Sequence, residues 1–147
     1  MSYYFEDVSS GQSFESASRT ITNYEIMSFA GLTGDFAPAH TDDVYASKSV
    51  FGKRVAHGSL VIGLAMGLLQ RLELFAGTVI APLDMTWKFG KPVLLGDTIR
   101  VRMTIQEKRE TSKPDRGLLV RAIEVLNQED DVVQSGTSTL LVRRRPA

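Results

Sequence analysis

Two histidines, an aspartate and a helix-start signal fall within one stretch, Thr33 to Leu60, and their types and spacing suit chemistry. Asp35 and His40 stand five positions apart on a segment that Gly34 and Pro38 keep from being regular. Proline has no N–H and disfavours the α region for Ala37, so residues 35–40 are expected to form a tight, irregular loop that aims a carboxylate and an imidazole at one point. Seventeen residues after His40 comes His57-Gly58-Ser59, followed by the most apolar run of the chain, Leu60 to Leu69, which reads as a buried helix. The first amides of such a helix lack intrahelical acceptors and carry the positive end of its dipole, so those of Gly58 and Ser59 can hold an oxygen that becomes negative. Gly58, having no Cβ, lets a substrate approach the backbone. Asp35 and His40 together can hold a water, remove its proton and return one, because histidine titrates near neutral pH and a carboxylate beside it tunes it. An oxyanion site with an acid/base pair suits addition of water to, or its removal from, a double bond conjugated to a carbonyl. A covalent nucleophile is not indicated: the chain has no cysteine, and Ser59 lacks the second flanking glycine of a nucleophile elbow.

Each of these residues also has a structural reading. Asp35 can be a turn residue bonded to its own backbone, His57 can cap or pack, and the Ser59 hydroxyl can be a helix cap. Two histidines and scattered carboxylates show no recognised metal-ligand spacing, so neither a metal nor a cofactor is expected.

The elements that must position these groups follow from patterning. Phe14 to Ile21 is a strand candidate, and Thr22-Asn23-Tyr24-Glu25 is a capping box opening a helix through about Ala30. Asp42 or Asp43 caps a short helix through about Ser47, and Phe51-Gly52 turns the chain towards the long helix that begins near Gly58. Gly63 and Gly67 interrupt that helix, and close packing against a surrounding sheet is their expected use. After Gly77 the chain turns to strands: Val79 to Phe89, Thr98 to Glu107, Gly117 to Leu126 and Val132 to Val142. Ile99, Val101, Met103 and Ile105 share one face by strict alternation. A helix followed by long antiparallel strands predicts an α+β fold, a curved sheet wrapped around a central helix. Leu118 to Val125 reads well on both faces, which predicts an edge or an outer surface that needs covering.

Composition narrows the class. With 147 residues, 43% hydrophobic and 23% charged, the chain is expected to be one domain, 1–147, with a real core. Basic and acidic residues balance at 17 each, so no overall field recruits nucleic acid, and Arg143-Arg144-Arg145 reads as a solvated end. The N-terminal stretch lacks a basic segment followed by an apolar one, which argues against secretion and, with zero cysteines, for a cytoplasmic protein. Leu60 to Leu69 is about half the roughly 20 residues a membrane span needs, so no membrane partner is expected.

With these pieces placed, the chain resembles the MaoC-like (R)-specific enoyl-CoA hydratases, which have the hot-dog fold. The family pattern is a Gly-Asp-x-Asn-Pro-aliphatic-His loop, an Asp, an aromatic-Ala pair, then Phe-Gly and Ala-His-Gly before the central helix. Here these are Gly34-Asp35-Phe36-Ala37-Pro38-Ala39-His40, Asp42, Tyr45-Ala46, Phe51-Gly52 and Ala56-His57-Gly58, with Pro92-Val93 and Gly96-Asp97 further on. The resemblance implies a hydro-lyase that adds water reversibly to a trans-2-enoyl thioester, giving the (R)-3-hydroxyacyl thioester. Asp35 and His40 would activate the water and the Gly58 amide would bind the thioester oxygen, with Phe51, Gly52, His57 and Ser59 as substrate-binding neighbours. It further implies an acyl-CoA substrate and a homodimer, or an oligomer of dimers, with the substrate along the subunit boundary. Ala37 replaces the family Asn, Ala39 a larger aliphatic residue, and Met66 stands where some relatives carry a serine. Two alternatives stand beside this reading: a dehydratase acting on carrier-protein-bound 3-hydroxyacyl groups, and a non-catalytic acyl-CoA-binding subunit.

Overall fold

The alternation in Thr98 to Glu107 becomes the long strand β4 (Thr98–Glu110), on which Ile99, Val101, Met103 and Ile105 are no more than 1% exposed. In the computed structural model, which describes residues 2–147, the segment expected as one strand from Phe14 to Ile21 is two short ones, β1 (Ser13–Glu15) and β2 (Arg19–Thr20), both paired with β4. The break is at Ser16, which takes over part of the ladder: its amide donates to the Val101 carbonyl and its hydroxyl accepts from the Val101 amide, each at 2.9 Å.

Four helices separate these strands from the rest of the sheet: α1 (Asn23–Thr33), α2 (Pro38–Thr41), α3 (Asp43–Ser47) and α4 (Gly58–Gln70). β3 (Val79–Phe89), β5 (Arg116–Leu126) and β6 (Val132–Arg143) complete an antiparallel sheet of order β1-β4-β5-β6-β3. One face of it carries the core, where Leu60, Val61, Ala65 and Leu68 of α4 pack with Val101, Met103, Leu119 and Ile123. This is the α+β arrangement that the patterning predicts.

Two further expectations are corrected. β5 is the middle strand of the sheet rather than an edge. Leu119 and Ile123 face the core while Leu118 and Val120 are half-buried on the other side, so apolar residues on both faces reflect pairing on both flanks. The edges are β1 and β3, and β3 exposes Leu83, Met85 and Phe89. Gly63 and Gly67 do not pack against the sheet: both are exposed, and a Cβ at either would meet no atom within 4 Å.

Arg143 and Arg145 of the basic tail are exposed, as expected of a solvated end, but Arg144 is half-buried and the tail is held by ion pairs. Arg144 pairs with Glu6 and Glu110 and lies over the Phe5 ring, 4.7 Å from its centroid, while Arg145 bonds Asp7 at 2.6 Å and lies over Tyr4. The Tyr4 amide and the Arg145 guanidinium both favour the Asp7 carboxylate and hold its pKa below the usual 3.8. Among the described residues no helix is long and apolar enough to cross a membrane.

Candidate active site

The capping box at Thr22 and Glu25 forms as expected, and α1 runs one turn beyond Ala30 to Thr33. There Gly34 adopts φ 80°, a left-handed conformation that ends the helix at little steric cost and turns the chain into Asp35. The Asp35 carboxylate accepts from the Ala37 amide at 3.2 Å, so the turn-residue reading of Asp35 holds alongside any chemical one. Ala37 keeps the extended ψ of 136° that a following proline imposes. Yet the expected irregular loop is, from Pro38 onward, the single-turn helix α2. Pro38 occupies its first position, where the missing N–H would have had no intrahelical acceptor. Asp42 then caps α3, its carboxylate accepting from the Tyr45 amide at 2.9 Å.

Arg54 locks these short helices together. Buried at 7% exposure, it donates from Nε to Asp43 at 2.7 Å and from Nη1 to the His40 carbonyl at 3.2 Å. The His40 ring is held in turn by the Val55 carbonyl, 2.7 Å from Nδ1. A carbonyl oxygen can only accept, so Nδ1 carries the proton and Nε2 of the neutral ring keeps its lone pair. The same logic applies to His57, whose Nε2 donates to the Asp35 carbonyl at 2.9 Å. The two imidazoles stack with centroids 3.8 Å apart at 25°, and Phe29 lies 4.8 Å from His57.

Asp35, His40 and His57 thus converge: one ligand atom from each lies within 4.8 Å of the others. Their sequence spacing does not announce a metal site, but the folded cluster is close enough to share an ion. One nitrogen of each ring donates to a backbone carbonyl, which leaves the other free, and His57, at 2% exposure, is buried with an unpartnered Nδ1. The buried ring supports the packing reading of His57 over a direct substrate contact. Asp35 is exposed and His40 half-buried, so both are open to a small molecule.

Gly58 is the first residue of α4, and its amide has no intrahelical acceptor. Its carbonyl accepts from Gln134 Nε2 at 3.3 Å, and Gln134 Oε1 accepts from the Trp87 indole at 2.8 Å, which ties the helix start to β6 and β3. A hollow of about 230 Å³ opens here, with Phe51, Gly58, Phe89, Lys91 and Gln134 in its wall. A Cβ on Gly58 would fall 2.7 Å from Cε1 of Phe89, so the absence of a side chain keeps that ring in place as well as the backbone accessible. Gly52, at φ 75°, makes the turn expected after Phe51. Ser59 is exposed and no side chain caps α4, which removes the helix-cap reading of its hydroxyl. Arg54, Trp87, Phe89 and Gln134 carried no sequence signal, since their positions matter only once β3 and β6 are brought to the helix start. Gly58 lines this hollow while Asp35 and His40 do not; a carboxylate beside an imidazole with a free lone pair can activate a water, and a helix-terminal amide can stabilise a developing oxyanion.

The fold is that of the hot-dog proteins: a solved structure described as a monoamine oxidase regulatory protein from Archaeoglobus superposes with a TM-score of 0.91 at 34% identity, covering 99% of this chain and 97% of that one, and the sheet-and-helix arrangement is the hot-dog fold. Within that class, residues 7–124 match the family model described as MaoC like domain, and the chain belongs to this family. It is 42% identical over 114 residues to Protein MaoC of Klebsiella aerogenes, a match covering 77% of this chain but 33% of that relative's length. It is 38% identical over 103 residues to an (R)-specific enoyl-CoA hydratase of Rhodospirillum rubrum, covering 70% of this chain and 69% of the relative.

Proposed function

We propose that the chain catalyses the reversible hydration of a trans-2-enoyl-CoA to the (R)-3-hydroxyacyl-CoA. The observation that carries this reading is the convergence of Asp35 with His40, a ring whose Nδ1 is bound to the Val55 carbonyl and whose Nε2 is left free. Water held between the Asp35 carboxylate and His40 Nε2 gives a proton to Nε2, and its oxygen bonds to C3 of the substrate. The C2–C3 π electrons move towards the thioester, whose oxygen becomes negative and is held by the Gly58 amide. The imidazolium then returns the proton to C2, so the enzyme ends as it began. Dehydration is the same path reversed, and a carrier-protein thioester would present the same atoms. The exposed β3 edge, with Leu83, Met85 and Phe89, supports a homodimer joined along it.

The test is the loss of enoyl-thioester absorbance when crotonyl-CoA is mixed with the protein, followed by a stereospecific dehydrogenase assay of the product. Turnover to the (R)-alcohol is the expected result. Absence of turnover across enoyl-CoA chain lengths and with carrier-protein thioesters, with CoA esters still bound, would establish the non-catalytic reading, which Ala37 favours because it cannot make the hydrogen bonds of the family asparagine.

A further inference from the structure

A second cavity, of about 310 Å³, lies beside the far end of α4, against Met66, Leu69 and Gln70. Its walls are chiefly apolar, among them Phe75, Pro82 and Leu140, and the single charged side chain in them is Arg121. Arg121 occupies an inward position of β5 between Leu119 and Ile123, opposite Ile105 on β4 and Ser138 on β6, where the pattern calls for an aliphatic residue. Its Nη2 donates to the Ser138 hydroxyl at 2.9 Å, but its Nε is buried with no partner. Among the described residues it has no part in any ion pair. Burial pushes its pKa down to about 10, which still leaves it cationic near neutral pH.

A half-satisfied, half-buried cation does not serve stability, since a well-packed apolar residue of similar size does better. It does serve recognition. A guanidinium with free donors takes a carboxylate in a planar, charge-assisted geometry, and it does so more strongly where water is excluded. The apolar walls argue against a small hydrated anion, which would leave them wet, and for an anion that brings its own hydrocarbon. The volume is at the small end of ligand pockets, about 300–1,000 Å³. We infer that this cavity binds an aliphatic carboxylate, with its chain along Leu69, Phe75 and Leu140 and its head group on Arg121. The carboxylate can belong to a free fatty acid or to the far end of an acyl thioester.

The probe is hexanoate, titrated into the whole protein by calorimetry and by NMR of the arginine side-chain N–H signals, with hexanamide as its neutral counterpart. Hexanoate should bind, shift the Arg121 Nε–H signal, and bind roughly 10- to 100-fold more tightly than hexanamide, as expected of a hydrogen bond to a charged group. Arg121→Met should bring hexanoate down to the affinity of hexanamide. If that variant does not fold, the hexanoate-to-hexanamide comparison on the unaltered chain and the Arg121→Lys variant decide the matter. No binding of hexanoate, or equal binding of the two probes, overturns the inference. Turnover separates the sources: a terminal-carboxylate enoyl-CoA favoured over its methyl-ended analogue, with the preference lost in Arg121→Met, assigns the site to the substrate. Hexanoate binding with no such preference assigns it to a free carboxylate. The titration does not depend on the hydratase reading, so failure of either is seen separately.

Discussion

At its first turn α4 meets polar groups that are nearly all committed: His40 to the Val55 carbonyl, His57 to the Asp35 carbonyl, Arg54 to Asp43 and the His40 carbonyl, Gln134 to Gly58 and Trp87. Around its last turns it meets the apolar wall in which Arg121 keeps an unpartnered Nε. The first region is built from short helices and turns held by backbone carbonyls, and the second from strand faces packed for burial. Backbone hydrogen bonds fix a tautomer and a direction, which suits proton transfer. A lone guanidinium in an apolar wall fixes only charge and place, which suits recognition.

The sharpest way to break this contrast is to remove the proton-transfer groups. Asp35→Asn and His40→Ala should each lower turnover of the best enoyl thioester by roughly 10²–10⁴, with circular dichroism unchanged. Near-normal turnover in either variant would show that the corresponding group is not part of the acid/base pair.

Next in size is Gly58, where structure and chemistry make overlapping demands. Gly58→Val should cost about 10²–10³ in turnover if the amide holds the thioester oxygen, and Ser59→Ala far less. Because the new side chain would also strike Phe89, Gly58→Ala combined with Phe89→Ala separates the two causes. Activity restored in the double variant would reduce Gly58 to a packing residue; activity still lost keeps the amide in the mechanism.

A smaller effect is expected at Gln134→Leu, which strands the Gly58 carbonyl and the buried side of Trp87. Urea denaturation should show a loss of about 1–3 kcal/mol, the cost of an unsatisfied buried polar group. No change in stability would mean that water replaces the amide and that the helix start is wetter than its contacts suggest. Ala37→Asn should be smaller again, leaving activity equal or raised. A clear fall in kcat without a fall in stability would mean that the site is built around Ala37.

The smallest concerns the chain ends and pH. The folded pKa of Asp7 lies below its ordinary 3.8, so its stabilising contribution is present above that value and is lost as pH falls through the lower, folded one. The melting temperatures of the unaltered chain and Arg145→Ala should therefore differ slightly at pH 5 and converge towards pH 2. A gap that persists in acid would place the contribution of Arg145 in its stacking on Tyr4 instead.

Much of this was readable from sequence because it is local. The alternation of Ile99 to Ile105 gives a strand and its buried face without reference to anything else, and the Thr22–Glu25 box gives a helix start. The Asp35–His40 segment marks itself by Gly34 and Pro38, though proline's double nature hid the single turn of α2. What was not readable is relational. Apolar residues on both faces of β5 fit an edge awaiting a partner or a strand already flanked by two, and only the strand order decides. Gly63 and Gly67 show that small residues permit close approach without saying what approaches. Arg54, Gln134 and Arg121 look like ordinary polar residues until the fold brings each of them to a buried partner or a cavity wall.

The pairing of β1 with β4 brings Ser13 against Thr104, 91 residues along the chain, their hydroxyls 2.7 Å apart. No early segment of the polypeptide can complete that ladder by itself. Such high contact order sets a slow timetable, because the entropy of closing a long loop is lost before the pairing returns anything. Stopped-flow refolding is accordingly expected in milliseconds to seconds, the range of sheet-dominated domains, rather than the microseconds of helical bundles. Until β4 is made, the strands at the amino end have nowhere to dock, and a nascent chain must keep them apart from other chains in the meantime.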